Sequence, residues 1–326
     1  MRSQQTLRSF FFILVGIVTA LASAQRVSAD TLYGATGSRG VAGHLLILDP
    51  TTGAVVTDVG ELQDSAGNKY GLTGLAFEPI TGRLFGSVAN SLNTPTPESH
   101  LVLINPNNAQ ITDIGSFFGS NNSTMSDITF DPITGTLYGW RSAEGHGLYT
   151  INTATGAATL VGGTTSAFGG GGLAASLNGT LFNTPDGVSG LPSGHLTTVD
   201  KTTGAPTIIG LLSGSFTIPV ITAMDFDSGG VLFGVERNAP NSLPRTNTAL
   251  SRLVTIDTAT GLMTDLGSSI DNLDAIAFLR STAPEQVPEP ISMLLLGLGL
   301  ASAFLWVKRP QLSKILVLTT RKRQRS

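Results

Sequence analysis

Cysteine is missing from this chain of 326 residues. Its absence excludes disulfides, thiolate metal sites and cysteine nucleophiles. A body of this size buries a sizeable core without disulfide staples, so the absence is compatible with export. Acidic residues are missing from both ends: none lies before Asp30 or after Glu289. Between the two apolar end segments, all twenty-two Asp and Glu stand against ten Lys and Arg, a net charge of about −12. Such a body is a poor fit to a nucleic-acid partner, because phosphate binding needs a cationic patch. Standard catalytic signatures are missing too. There is no Gly-x-Ser-x-Gly elbow, no His-Glu-x-x-His and no Gly-x-x-x-x-Gly-Lys cradle. The glycine run Gly169 to Gly172 has no Lys after it and reads as a flexible loop.

The two ends are informative. Arg2 and Arg8 precede an apolar stretch from Phe10 to Leu21. Ala22-Ser23-Ala24 follows with the small-x-small pattern of a signal-peptidase site, and Val27-Ser28-Ala29 is a second candidate. At the other end, Val287-Pro288-Glu289-Pro290 stands before an uncharged apolar run from Ile291 to Val307. As a helix that run spans about 26 Å, most of a hydrocarbon core. Lys308 and Arg309 follow at once, and the tail adds Lys314, Arg321, Lys322, Arg323 and Arg325. The positive-inside rule then puts the tail in the cytoplasm and the body outside. A Pro-Glu-Pro motif, a membrane span and a basic flank in this order resemble the PEP-CTERM sorting signal of bacterial exported proteins. The resemblance implies handling by an exosortase, in bacteria that make exopolysaccharide. The chain departs from the pattern in its long tail, which runs on from Gln311 to Ser326.

The body is a repeat. One unit runs Ile128-Thr129-Phe130-Asp131-Pro132-Ile133-Thr134-Gly135-Thr136-Leu137-Tyr138-Gly139, then a loop. It continues Leu148-Tyr149-Thr150-Ile151-Asn152-Thr153-Ala154-Thr155-Gly156 and closes at Gly162. Alternating, β-branched segments predict four strands per unit, joined by tight turns and looser loops. In the turns, Asp or Asn accepts nearby N–H groups, Pro presets φ, and Gly takes the left-handed conformation. Turns of this kind are Asp49–Gly53, Glu78–Gly82, Asp131–Gly135, Asn152–Gly156, Asp200–Gly204 and Asp257–Gly261. Units end at Gly60, Gly115, Gly162, Gly210 and Gly267, so there are five. Four strands at a period near fifty residues predict propeller blades. Leu273–Leu279 matches a first strand with no second, and Thr31–Gly34 matches a second strand with no first. The predicted fold is therefore an all-β, five-bladed β-propeller whose two terminal strands complete one blade, followed by one transmembrane helix. The boundaries are 1–24 for the signal peptide, 30–281 for the propeller, 282–290 for the linker, 291–307 for the helix and 308–326 for the tail. The repeat style is also loosely similar to quinoprotein-like and NHL-like bacterial propellers, a likeness that carries no catalytic residue.

Candidate functional residues follow from the repeat. His44, His100 and His195 share one repeat position, Arg252 holds it in the last unit, and His146 is one residue off. A ring of imidazoles suits a metal or an anion, but strand starts sit far from the ring axis, and inheritance of one ancestral blade's His explains the position without a ligand. Trp140 and Arg141 start a variable loop and are stacking candidates for a ligand face. Asp127, Asp225 and Asp274, read as similar positions in three units, are candidates for a cation at the axial mouth or for capping strand starts. The expected function is non-enzymatic: an exosortase-sorted envelope or matrix protein whose propeller face binds glycan or protein. It needs no cofactor, is processed by signal peptidase and exosortase, and is anchored in the membrane by the C-terminal helix or released after processing. The alternative is a propeller enzyme of the lyase, lactonase or quinone-dependent dehydrogenase type.

Overall fold

The protein is seen in a computed structural model that describes residues 30–281, apart from 38–42, 89–98, 120–124, 142–144, 164–170, 186–193, 215–219 and 238–249. The signal-peptide residues Ala22 and Ala24, the motif Val287, Pro288, Glu289 and Pro290, and the expected helix 291–307 lie outside the described residues. Among the described residues no helix is long and apolar enough to cross a membrane.

Among the described residues, twenty strands make five four-stranded sheets. Blade 1 opens with β1 (Thr31–Thr36), β2 (His44–Leu48) and β3 (Val55–Glu61). Blade 2 is β4 (Leu72–Phe77), β5 (Leu84–Val88), β6 (His100–Ile104) and β7 (Ile111–Ser116). Blade 3 is β8 (Met125–Phe130), β9 (Leu137–Arg141), β10 (Gly147–Ile151) and β11 (Ala158–Gly163). Blade 4 is β12 (Leu173–Ala175), β13 (Leu181–Asn183), β14 (His195–Val199) and β15 (Pro206–Leu211). Blade 5 is β16 (Ile221–Phe226), β17 (Leu232–Glu236), β18 (Arg252–Ile256) and β19 (Met263–Ser268). The last strand, β20 (Leu273–Leu279), returns to pair antiparallel with β1, from Thr31↔Leu279 to Thr36↔Leu273. The ring closes as the sequence predicts, and no free inner edge is left for another chain to extend.

The turns form as their residues dictate. Gly53, Gly82, Gly135, Gly156, Gly204 and Gly261 take φ between 67° and 79°. Each donates its N–H to the carbonyl of the first turn residue, at 2.8 to 2.9 Å. Hydrogen bonds from Thr51 to the Asp49 carboxylate hold it below the usual carboxylate range, and the Thr202 N–H does the same for Asp200. These acids are satisfied by their own turns.

Glycine has a second role that depends on the neighbouring blade. A methyl group on Gly115, Gly162, Gly210 or Gly267 in a fourth strand would run into the carbonyl oxygen of Thr155, Thr203, Thr260 or Thr52 in the next blade's turn. The repeat therefore keeps Gly on both sides of these seams, because the backbones touch.

Apolar residues alternate so that each strand feeds the seams on both sides. Blades 1 and 2 share the largest core cluster, around Leu45, Leu72, Val102 and Ile111. Blades 3 and 4 share the smallest, which includes Trp140, Leu148, Leu173 and Leu181. At four seams an aromatic ring from a second strand meets a Phe at or next to the end of the next blade's first strand. The pairs are Tyr33–Phe77, Phe85–Phe130, Phe182–Phe226 and Phe233–Phe278, with centroids 4.9 to 5.5 Å apart. Each adds about 0.5–1.5 kcal/mol beyond burial. At the fifth seam Tyr138 holds the second-strand place, and the first-strand place is Ala175.

Candidate functional site

A propeller of this kind has two ends. The tight turns occupy one. The loops between second and third strands and the connections between blades occupy the other, called the loop end below.

His44, His100, His195 and Arg252 do share one position, the first residue of the third strand, opposite Glu61, Ser116, Leu211 and Ser268. They do not form a ring around a ligand. His44 Nδ1 lies 3.0 Å from Asp58 and His100 Nδ1 lies 2.8 Å from Asp113. Arg252 Nε donates to Asp265 at 3.0 Å. Each partner sits on the fourth strand of the same blade, across from the residue two places after the His or Arg. Blade 3 has Gly147 and Leu160 at the two positions, and blade 4 has His195 and Ile208. His146 stands just before β10, with its Nδ1 buried and without a partner. What three blades repeat is a His–Asp or Arg–Asp pair, and sequence reading found only the His or Arg half. Among the described residues no group of three His, Asp or Glu side chains is placed to hold a metal.

Trp140 and Arg141 correct the expectation of an exposed stacking pair. Trp140 is 0% exposed. Strand alternation turns it into the seam toward blade 4, against Leu148, Leu173 and Leu181. Arg141 points the other way and lays its guanidinium over the Phe118 ring, 4.2 Å from the centroid.

Asp127, Asp225 and Asp274 correct the expectation of equivalent positions. Counted back from the terminal Phe of their strands, they lie three, one and four residues away. Asp274 is the extra residue of a bulge, equivalent to Thr73, Ser126 and Thr222, and it pairs with Arg237 Nη2 at 2.6 Å. Asp127 faces the axis and is fully buried. Its Oδ2 accepts the N–H groups of Leu173 (2.9 Å) and Met224 (3.1 Å), and its Oδ1 accepts that of Ile128 (2.9 Å). One carboxyl thus ties the inner strands of blades 3, 4 and 5. Burial pushes its pKa well above the ordinary carboxylate range, against the pull of those three N–H groups. Around the axis the same register level holds Gly74, Asp127, Ala223 and Ala275. A Cβ on Gly74 would sit 2.8 Å from the Ile128 nitrogen, so the inner strands meet here at glycine's width.

Asp225 ties blade 5 to β20. Its Oδ2 accepts the Phe278 N–H at 2.7 Å, and its Oδ1 accepts the Phe226 N–H at 2.8 Å and Arg280 Nη2 at 3.0 Å. Arg280 Nε also donates to the Phe226 carbonyl at 2.9 Å. Burial raises the Asp225 pKa, and the Arg280 charge opposes that rise. In blade 3 the turn residue Asp131 accepts the Ile133 N–H at 2.9 Å. Blade 1 has no covalent turn at the equivalent place. There Asp30, from the other end of the chain, accepts the Ser281 N–H at 2.8 Å and also that of Ser228 at 2.6 Å. A carboxylate across the break replaces the missing turn acid.

The loop end differs. Among the described residues, buried polar atoms without a partner include Ser99 Oγ, Ser126 Oγ, Trp140 Nε1, His146 Nδ1, Asn183 Oδ1, Glu236 Oε2, Ser269 Oγ and Asn272 Nδ2. All lie at strand ends or connections on the loop side, and none of the described turns contributes one. Glu236 is 1% exposed, and burial lifts its pKa to about 7 although Arg252 pulls it down. Sequence reading missed Glu236 and Asn183 because nothing local marks them.

Residues 286–309 match the PEP-CTERM protein-sorting motif. None of the curated proteins matches the chain. Similar solved structures include a structural genomics protein of unknown function from Bacteroides thetaiotaomicron VPI-5482, at 14% identity and a TM-score of 0.45, covering 63% of this chain and 53% of that one. The chain thus spans about half the length of that neighbour. A protein of unknown function from Bacteroides caccae matches at 11% identity and a TM-score of 0.41, covering 78% of this chain and 100% of that one. The chain is a five-bladed propeller that carries a PEP-CTERM sorting signal, the mark of an exported protein targeted to exosortase at the cell envelope.

Proposed function

We propose that this is a non-catalytic binding protein, held at the envelope or released from it, whose loop end recognises a glycan. The observation that carries this reading is the uneven distribution of unsatisfied buried polar atoms between the two ends of the ring. Buried polar groups without partners are costly, and a whole set at one end is the pattern of a surface completed by something else. The axial carboxylates support the non-catalytic part. Asp127 and Asp225 spend their oxygens on backbone N–H groups and Arg280, so these two carboxyls tie strands together. The acidic body leaves glycan or protein as partner classes, and neutral orphans such as Trp140 Nε1 and Asn183 Oδ1 suit hydroxyl groups best.

The test is fractionation of the native host, followed by co-sedimentation of the purified full chain with the host's extracellular polysaccharide. The body is expected outside the cytoplasm and in the polysaccharide pellet. A full chain that stays in the supernatant, or that binds only a protein from the matrix, overturns the glycan reading. Turnover of the polysaccharide overturns the non-catalytic part.

A further inference from the structure

The turn end carries two sets of turns, and all of them belong to the described residues. Inner turns join first to second strands beside the axis, and outer turns join third to fourth strands at the rim. The two sets differ at the third turn residue, whose side chain the turn does not use. In the outer set that residue is Thr51, Asn107, Ala154, Thr202 or Ala259. In the inner set it is Ile80 in blade 2 and Ile133 in blade 3, which are 89% and 67% exposed. Blades 4 and 5 place Leu177 and Val231 in or beside their inner turns, 42% and 43% exposed. Turn chemistry asks for none of these apolar side chains.

The four form an arc. A Cβ on Gly179 would lie 3.2 Å from Ile133 Cγ1, so the isoleucine of blade 3 leans on the inner turn of blade 4. A Cβ on Gly230 would lie 3.9 Å from Leu177 Cδ1, so the leucine of blade 4 reaches the inner turn of blade 5. The inner turn of blade 1 is the open one, where the described chain enters at Asp30 and leaves at Ser281. Asp30 accepts the Ser228 N–H of the blade 5 turn, so the exit stands beside the arc.

Residues 282–290 lead from this exit to the apolar run at Ile291. Fully extended, nine residues reach about 30 Å. Running back along the blade to the loop end would use about 23 Å of that, the length of the seven-residue β20. A bilayer that holds the apolar run is therefore met most directly by the turn end.

Charge selects the kind of surface. Hydrogen bonds within their own turns hold Asp49, Asp200 and Asp257 below the ordinary carboxylate range, so this end is negative at neutral pH. The described cations at this end are matched: Arg83 to Glu78 at 2.9 Å, Lys201 to Asp131 at 2.8 Å and Arg280 to Asp225 at 3.0 Å. An anionic headgroup finds no spare positive charge here, whereas apolar side chains suit a zwitterionic surface.

We propose that Ile80, Ile133, Leu177 and Val231 seat the body on a zwitterionic lipid bilayer while the chain is still joined to its C-terminal apolar segment, so that the loop end faces away from the membrane. The side chains enter the headgroup region, and the short linker keeps them at high effective concentration there. The seat does not depend on the glycan reading.

The test uses the full chain in phosphatidylcholine vesicles with brominated acyl chains as quenchers. The chain has no cysteine, so Ser228→Cys in an inner turn and Ser268→Cys at the loop end each give a single dye site on an exposed residue. The dye at 228 is expected to be quenched, in low and high salt alike, and the dye at 268 is not. Ile80→Thr with Ile133→Thr gives the inner turns an outer-turn residue and is expected to remove the quenching while the chain stays in the vesicle. Should that pair fail to fold, Val231→Thr, which copies Thr136 and Thr180 of blades 3 and 4, is expected to weaken it. Quenching that survives these substitutions means that the linker alone brings the turns close, and overturns the seat. So does an unquenched dye at 228, an equally quenched dye at 268, or quenching confined to anionic vesicles. A disulfide between two Ser228→Cys copies that the isoleucine substitutions abolish overturns it too, because a second copy then covers the arc.

Discussion

Blade 1 is assembled from the two ends of the chain, and blade 4 from one continuous stretch, yet blade 1 is the better built. In blade 1 the β20–β1 ladder runs through six residue pairs, while the matching β12–β13 ladder in blade 4 has three. Phe278 of blade 1 meets Phe233 at 4.9 Å, whereas Ala175 of blade 4 offers Tyr138 no ring. The open turn of blade 1 is clasped by Asp30, Asp225 and Arg280. Chain continuity therefore does not rank the blades. Where the backbone is interrupted, side chains supply directed bonds in its place. Where it is continuous, the fold tolerates a thin blade.

The largest effect is expected from moving the break. A chain ending before Leu273 loses β20, with Leu273, Ala275, Ile276, Ala277 and Phe278 all buried, and should not fold. A circular permutant that joins Ser281 to Asp30 and opens the Ser176–Thr180 turn puts the break in blade 4. It should have a clearly lower Tm than the natural chain by calorimetry, because three ladder pairs then hold the new ends. A permutant as stable as the parent breaks the ranking of the two blades.

Next come the axial ties. Asp127→Ala leaves three buried N–H groups without acceptors and should cost about 3–6 kcal/mol in denaturant unfolding. Asp225→Ala strands the Phe278 and Phe226 N–H groups and the Arg280 charge, with a loss of similar size. The two should differ in what they loosen. Asp127→Ala should speed hydrogen exchange in β12 and β13 before the rest, and Asp225→Ala should do so in β20. Uniform acceleration across all blades would show that the ring opens as one unit and that the blades do not differ locally.

A smaller effect separates the ends of blade 5. The carboxyl of Glu236 has a pKa near 7 in the fold against an ordinary value of 4.5. Below 4.5 it is protonated in both folded and unfolded chains, and the fold has its full stability. As pH rises from 4.5 through 7 the unfolded chain ionises this carboxyl while the fold still holds it neutral, so stability is lost over that window and the loss is complete above 7. Glu236→Gln should match the parent in Tm at pH 4.5 and exceed it at pH 8. Equal values at both pH settings would mean that Glu236 is not buried as an uncharged acid.

Much of this ring is legible in the sequence because its local rules repeat. The Asp-Pro-x-Thr-Gly turns, the alternation and the complementary ends Thr31–Gly34 and Leu273–Leu279 give blade number and closure. Properties set by the next blade are not legible. The turn Gly reads as a φ requirement, but its tight contact with the preceding blade's fourth strand appears only once Gly115 meets Thr155 and Gly162 meets Thr203. Trp140 reads as a loop residue because its strand's last two positions look like the start of a loop, and alternation alone does not say which seam it enters. Asp30 reads only as the first residue of the propeller, since its partners Ser228 and Ser281 lie about 200 and 250 residues further along the chain. The Asp partners were partly within reach: Thr57-Asp58, Thr112-Asp113 and Thr264-Asp265 occur in units with His or Arg at the repeat position, but Thr207-Ile208 occurs in the unit of His195, so the pattern alone does not fix the pair.

The smallest effect concerns those outer pairs. In His44–Asp58 the histidine is 23% exposed and the aspartate 52%, so water screens their attraction. Exposed pairs of this kind contribute about 0.2–1 kcal/mol. Asp58→Ala and Asp113→Ala should each shift the unfolding midpoint only slightly, and the coupling in a His44→Ala, Asp58→Ala double-mutant cycle should shrink as salt rises. Blade 4 supplies the control within the same molecule. Ile208 stands where blades 1, 2 and 5 carry Asp, so Ile208→Asp adds a carboxylate at the position that pairs with the third-strand His or Arg in those blades. It also removes an exposed apolar side chain. A gain of a few tenths of a kcal/mol that fades in high salt would extend the pairing rule to blade 4. A loss, or a gain indifferent to salt, would confine the rule to the blades that already have the pair.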